Sequence, residues 1–493
     1  VRRETKWLTA ILVIAAILRC VVLSTRSIFY DDAFSIFLSE QSLSKIITGT
    51  AADTMPPLYY FLLHIWLLAG RSLWWVRLLS VLLSVGSVWM IHRLIADMGY
   101  SRAGLWAAFF TAINPFQIYH AQEVRMYSLL AFALLGFAWF FLKIWKQAVP
   151  GWGLWLGLFL CGSAALYTHN LAAFSLIVPA ILTVVAGRWK LLPRLMGAYG
   201  AMGLAFLPWL VMVPGQVEKI QKAFWTPRPG VVEIINALVQ SVSSLPLPVV
   251  PMAIVLGLSL LIIILIGLEA WRARHTLWLG WLLAWVIIPP ALLFVVSYVM
   301  RPVFVLRGFI LSQVVFLGFA AVVITVARQK AALWLVGGSF ILAAIIGLPA
   351  QYTFQSFPRS PYREMIIGLR EQVTPEAIVL HDNKLSFFPS FYFDPGLPQV
   401  FLADEPGSHN DTYAPASQQA IGLIPEDSPN GVIETHDEIF FVVYQQTLDE
   451  YAEMGYDQHP VVATMERSMQ PAGQEQYGDL LVIHYVKPER VNP

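Results

Sequence analysis

Asp31 and Asp32 stand side by side just past the first hydrophobic segment, and they are two of only ten acidic residues among the first 349. Carboxylates are expensive near hydrocarbon, so a pair placed where a spanning segment meets water is a candidate for chemistry at a membrane surface. Downstream, His120, Gln122, Glu123, Arg125 and Tyr127 are crowded between two hydrophobic stretches. Lys219, Lys222 and Arg228 share a later loop with Trp225, and Arg301 and Arg307 flank the start of another apolar run. An anionic lipid head group gives basic residues outside the membrane a reason to exist.

Each of these residues also has a bland reading. Asp31 suits the N-cap of the helix that follows. Glu123 and Arg125 could form an internal salt bridge, and His120 could be a hydrogen-bonded structural histidine. Tyr59, Tyr60 and Tyr127 could be interface-belt aromatics, for which Tyr and Trp are enriched. His169, in the run Tyr167-Thr168-His169-Asn170, sits where a turn is expected and could serve only that turn. Arg71 and Arg77 read as snorkelling side chains or loop anchors. A divalent ion between Asp31, Asp32 and Asp53 is chemically reasonable, but one adjacent pair is weak support for a metal site.

The elements that must position these groups follow from composition. The chain has 493 residues and is 57% hydrophobic, against roughly 45–50% for an ordinary soluble domain. Its apolar excess lies before residue 350. A spanning helix takes about 20 apolar residues, which predicts about eleven spans near 7–24, 73–92, 103–118, 127–145, 153–167, 170–187, 195–213, 246–268, 277–299, 308–327 and 331–349. Basic residues precede the first segment and no small-x-small site follows Leu23, so it reads as a retained signal anchor. With the N-terminus cytoplasmic, the inner segments carry Arg2, Arg3 and Lys6; Arg93 and Arg102; Lys143 and Lys146; Arg188, Lys190 and Arg194; Arg272 and Arg274; Arg328 and Lys330. That is the positive-inside pattern, and an odd number of spans leaves the tail outside.

The first outer loop, about 25–72, is long enough for structure of its own. Its residues 33–47 alternate apolar and polar side chains as a helix lying in the interface plane would. The run Met55-Pro56-Pro57-Leu58-Tyr59-Tyr60 then opens a second apolar stretch that fits the charge pattern best if it stays outside.

Residues 350–493 carry 21 of the 31 acidic residues and only 7 of the 32 basic ones, so a net charge of +1 hides a basic membrane domain, 1–349, and an acidic soluble one. Strands are expected at 377–382, 399–403, 438–444 and 479–486, with helices at 362–372 and 448–454. That is a small α/β domain able to bury its own core. Cys20 and Cys161 lie in expected spans without metal spacing and read as packing residues. No repeat, phosphate-binding glycine loop or basic aromatic stripe is present, which argues against nucleotide and nucleic-acid partners.

In order along the chain come the acid pair after the first span, Asp53-x-x-Pro56-Pro57-Leu58-Tyr59-Tyr60, the loop Gln122-Glu123-x-Arg125-Met126-Tyr127, and a late outer arginine. This order resembles bacterial members of the C-type (GT-C) glycosyltransferase superfamily, in particular the group of protein O-mannosyltransferases and lipid A aminoarabinose transferases. The likeness spans most of 1–349, and the tail resembles the small extracytoplasmic domain many members append.

The resemblance implies an all-α polytopic membrane fold with interfacial helices in the first outer loop. It also implies a bacterial inner-membrane location and transfer of a sugar from a polyprenyl-phosphate donor, with inversion, to a protein, lipid or glycan acceptor on the outer face. In the family the first acid of an Asp-Glu pair acts near the acceptor. It maps here to Asp31, with Asp32 where Glu is usual and Met55 where a His often stands. No cofactor is required by this reading, although a divalent cation at Asp31 and Asp32 is compatible with it.

Cleaving a sugar phosphodiester leaves a monoester with one more negative charge, so arginines aimed at the phosphate stabilise the transition state more than the bound donor. Arg125 and Arg307, then Arg301 and Lys222, are the candidates for that role. Asp31 is the candidate base, with Asp32 beside it, and Asp53, Tyr59, Tyr60, His120, Gln122, Glu123, Tyr127 and His169 are the expected substrate contacts. Two alternatives remain: a lipid-linked sugar transporter or flippase, and a non-catalytic receptor. Polar groups gathered on one side, rather than near the midplane of repeated halves, weigh against the transporter.

Overall fold

The computed structural model describes residues 2–222, 226, 228–273, 277–300, 302–327, 330–404 and 415–488. The chain forms two compact units, Val1–Ser24 with Thr50–Thr353, and Thr25–Gly49 with Phe354–Pro493. A single cut near residue 350 was expected. Instead the last long helix runs on to Thr353, and residues 25–49 belong to the C-terminal unit.

Every regular element described in the first unit is a helix. Among the described residues six helices are long and apolar enough to cross a membrane: Leu73–Asp97, Tyr127–Trp145, Val249–Arg272, Trp278–Val299, Leu306–Val326 and Ala331–Thr353. A seventh arises if Leu192–Leu210 and Val213–Lys219, which meet at 62°, form one span. Four further expected spans fall on helices that miss this requirement of length and composition, Ala172–Leu176 with Val178–Val185 being one of them. Ser101–Ile113 and Trp152–Thr168 have only 13 and 17 residues, and Arg2–Cys20 carries charge at both ends. Leu58–Leu67, expected to stay outside, has ten residues and rises about 15 Å, half of a hydrocarbon core.

Tyr127–Trp145 and Leu306–Val326 are the hub, 78% and 83% buried, whereas Val249–Arg272 is 22% buried. Tyr127–Trp145 packs on Leu73–Asp97 and Trp152–Thr168, and Ile310–Val326 packs on Ser101–Ile113 and Leu277–Val299. Apolar side chains such as Val249, Ile264 and Trp271 point outward. With hydrocarbon as the solvent, such a surface carries no penalty.

The second unit is α/β. Its sheet has the order β2-β1-β3-β5-β4, with β1 Ile378–His381, β2 Gln399–Phe401, β3 Glu438–Tyr444, β4 Gln470–Tyr477 and β5 Leu480–Val486. β1 runs parallel to both β2 and β3, pairing Val379 with Gln399 and Leu380 with Phe441. β5 is antiparallel to β3 and β4. Alternation places Val379, Phe440, Val442 and Val482 on one face, under the helix Tyr362–Gln372, and Ile378, Leu380, Phe441 and Val443 on the other. The expected strands and both expected helices are present, the second helix as Gln445–Glu453. β4 was not expected: its residues are polar and exposed, so it lacks the alternation that marks a half-buried strand.

Candidate functional site

In the membrane unit, the residues singled out in 114–127 are held by a broken helix. Ser101–Ile113 stops at Asn114, whose Oδ1 accepts the Gln117 N–H at 3.0 Å and so caps the next helix, Pro115–Ala121. Proline at the first helical position needs no N–H partner, which makes Asn-Pro a natural restart. The carbonyls orphaned at the first helix end are taken by Arg19, which sequence reasoning passed over. Its guanidinium is fully buried and donates to Thr111 O (3.1 Å), Ala112 O (2.9 Å), Ala15 O (3.1 Å) and Ser84 Oγ (2.8 Å). A cation at a helix C-terminus satisfies both the free carbonyls and the dipole. An arginine inside an otherwise apolar run was the available signal.

Gln122 proves to be part of the same brace. Its Nε2 donates to Arg19 O (3.1 Å) and Val21 O (2.8 Å), while Arg77, buried rather than snorkelling, donates to Leu23 O at 2.9 Å. Between these anchors Val22 adopts a φ of 52°, a conformation unusual for a β-branched residue.

His120 Nδ1 lies 2.6 Å from Glu123 Oε2, both buried, and its ring meets the edges of Phe116, Tyr119 and Tyr127. Tyr59 and Tyr60 are buried, so they are not belt aromatics of a membrane surface. Tyr60 Oη accepts from Arg125 at 3.4 Å. Ser80 Oγ lies 3.0 Å from Tyr59 Oη and donates to the Arg125 carbonyl at 3.5 Å. The tyrosine pair therefore orients Arg125 through side chain and backbone at once.

Arg307 lies in the 3₁₀ turn Leu306–Phe309, its guanidinium carbon 5.6 Å from the centre of the Tyr127 ring, a cation–π distance. Gly308 allows this turn to come close, since a Cβ there would meet Leu171 Cδ1 at 2.5 Å. Two residues before Leu171, His169 occupies the turn after Trp152–Thr168, its ring 6.3 Å from that of Tyr127. Burial first, then the charges of Arg307 and Arg125, push His169 down to about 3. Its Nδ1 accepts the Leu171 N–H at 3.1 Å, which leaves the proton on Nε2. The result is a histidine that is neutral near pH 7, with two guanidiniums close enough to act on it.

Asp53 is 3.9 Å from Lys219, which also donates to Ala52 O, and Gln216 and Asn170 hold Thr50 O and Thr54 O. The short helix Val213–Lys222 thus anchors the segment that carries Asp53. Arg301 and the Lys222 side chain lie outside the described residues.

In the C-terminal unit, Asp31 and Asp32 occupy the first turn of the helix Tyr30–Ser39. The N-cap is Phe29, so neither acid is the cap, although both are favourably placed for the helix dipole. Asp32 is buried and Asp31 half-buried. Ser35 and Ser39 are buried too, and Ser35 Oγ donates to Asp31 O at 2.7 Å. Among the described residues no group of three or more His, Cys, Asp or Glu is placed to hold a metal ion.

No family model matches the sequence, and no curated protein matches it. Solved structures do. ArnT from Cupriavidus metallidurans in the apo state aligns over 97% of this chain and 98% of its own, with a TM-score of 0.65 at 15% identity. The same protein bound to undecaprenyl phosphate gives 0.63 at 14% over the same shares. The Archaeoglobus fulgidus oligosaccharyltransferase tethered with an acceptor peptide gives 0.51 at 14%, over 99% of this chain and 74% of that one. Likeness at this identity establishes the fold alone: over almost its whole length the chain shares the architecture of these solved structures.

Proposed function

We propose that the protein is a glycosyltransferase that moves a sugar from a polyprenyl-phosphate donor to an acceptor nucleophile. The observation that carries this reading is the grouping of Arg307 and neutral His169 at the Tyr127 ring, with Arg125 near enough to act on His169, in a fold shared with a protein crystallised with undecaprenyl phosphate. The donor phosphodiester carries one negative charge, and its departing monoester gains another. Two guanidiniums favour that change, and the His169 Nε2–H adds a neutral hydrogen-bond donor.

Asp31 is the base in this reading. It takes the proton of the acceptor hydroxyl as the oxygen attacks the anomeric carbon and the sugar–phosphate bond breaks, with inversion, while Asp32 supports it. Tyr59 and Tyr60 orient Arg125, and His120 with Glu123 fixes the loop beside Tyr127. The acceptor is a protein, lipid or glycan hydroxyl. The reaction lies on the outer face of a bacterial plasma membrane, with the N-terminus cytoplasmic and the α/β unit outside, as the basic inner segments support.

The test is Asp31→Asn, assayed with the purified full chain and a polyprenyl-phosphate sugar. General-base loss predicts transfer about 10²–10⁴-fold slower in a folded protein. Unchanged transfer would discard Asp31 as the base. Mass spectrometry of envelope glycans with and without the protein identifies sugar and acceptor.

A further inference from the structure

The acid pair belongs, by packing, to the C-terminal unit, and what it packs on is specific. Phe34, one turn beyond Asp31, stacks on Phe388 with ring centres 6.4 Å apart, and Phe37 meets the edges of Phe388 (6.3 Å) and Phe391 (5.8 Å). Those partners lie on the helix Lys384–Phe393. Behind it, Phe387 stacks on Phe391 at 5.4 Å and on Phe401 of β2 at 4.5 Å, so the aromatic row continues into the sheet. The ends of the segment are also tied: Ser27 Oγ donates to the Ser360 carbonyl, and Ser417 Oγ donates to Gly49 O at 3.2 Å. Gly49 has no Cβ to meet Leu38 Cδ1, which would lie at 2.7 Å, so Leu38 can close over this end. Phe29 rests on Phe357 at 5.2 Å, and Tyr30 packs on the sheet's core.

We infer that the helix Lys384–Phe393 is a mount that sets the position of Asp31, with Phe388 and Phe391 as positioning residues for proton removal. The inference rests on the reading of Asp31 as base. It gives the α/β unit a direct part in the reaction. Aromatic rings suit the task because two torsions fix each side chain over a large contact. The demand is strict, since a reacting group displaced by about 1 Å can cost about 10²-fold.

Phe388 is fully buried and its loss could unfold the unit, so the test uses half-buried Phe391. Phe391→Ala and Phe391→Tyr are compared in the full chain, reading kcat, donor KM and amide hydrogen exchange across residues 30–39. The expected result for Phe391→Ala is faster exchange in 30–39, kcat lowered about ten-fold and donor KM unchanged, with Phe391→Tyr restoring both exchange and rate. Unchanged exchange in 30–39, or faster exchange with full kcat, overturns the mount. Full activity of Asp31→Asn instead removes the base reading while the exchange result still stands, so the two failures are told apart.

Discussion

The basic cluster of the membrane unit and the acid helix of the C-terminal unit are held by different physics. Around Arg125 and Arg307 the chain is fixed by directional bonds: Asn114 capping a restarted helix, Arg19 closing the previous one, Gln122 reaching back to Arg19 and Val21, and two tyrosines bracing Arg125. Around Asp31 ring contacts, Phe34 and Phe37 on Phe388 and Phe391, join hydrogen bonds that tie the ends of the segment. Hydrogen bonds suit groups in hydrocarbon, where an unmet carbonyl has no water to turn to. Aromatic packing suits a unit that can exclude water only by covering itself. The lesson is that one chain can draw on two kinds of rigidity, each matched to its solvent.

The sharpest probe of this contrast is Arg307→Ala. Loss of a preorganised charge at the phosphate predicts a fall in kcat of about 10²–10³-fold with polyprenyl-phosphate donor. Arg71→Ala should fall far less in the same assay, and equal losses would remove the basis for placing the phosphate at Arg307.

Arg19→Leu tests the directional brace. It keeps an apolar volume but leaves the Thr111 and Ala112 carbonyls without their donor, which predicts about 1–3 kcal/mol of lost stability, read as a lower thermal midpoint in lipid. A variant as stable as the parent would mean that the carbonyls find other donors.

The smallest expected effect is on pH. His169 has its folded value lowered from 6.5 to about 3, so the unfolded chain takes up this proton first as pH falls. Its contribution to stability is whole above pH 6.5 and is lost as pH drops toward 3. His169→Asn should flatten that acid limb of the melting profile, and the rate profile between pH 5 and 8 should show no inflection due to this imidazole.

The crowded loop 114–127, the acid pair and the late arginine were legible because polar groups stand out in an apolar chain. Arg19 was equally conspicuous, yet its meaning depended on a helix end that sequence does not place to the residue. The allegiance of residues 25–49 could not be read at all. Phe34 and Phe388 are more than 350 positions apart, and nothing local in either says which aromatic it will meet. The helix Lys384–Phe393 was missed because Pro389 stands inside it, where a proline argues against a helix. Four of the eleven expected spans fall on helices that are short, broken or charge-ended, features that hydropathy alone does not distinguish from a long unbroken helix.

β4 bears on how these molecules live beside one another in a crowded membrane. An outer strand normally invites a neighbour to extend the sheet. Here the invitation is withdrawn: β4 begins Gln470-Pro471, its register slips between Pro471 and Gly473, and the opposite border, β2, offers only three residues. Proline removes a donor, the slip spoils the ladder, and a short border gives an intruding strand little to hold. The α/β unit should therefore stay single at high surface density, free of fibre-like stacking.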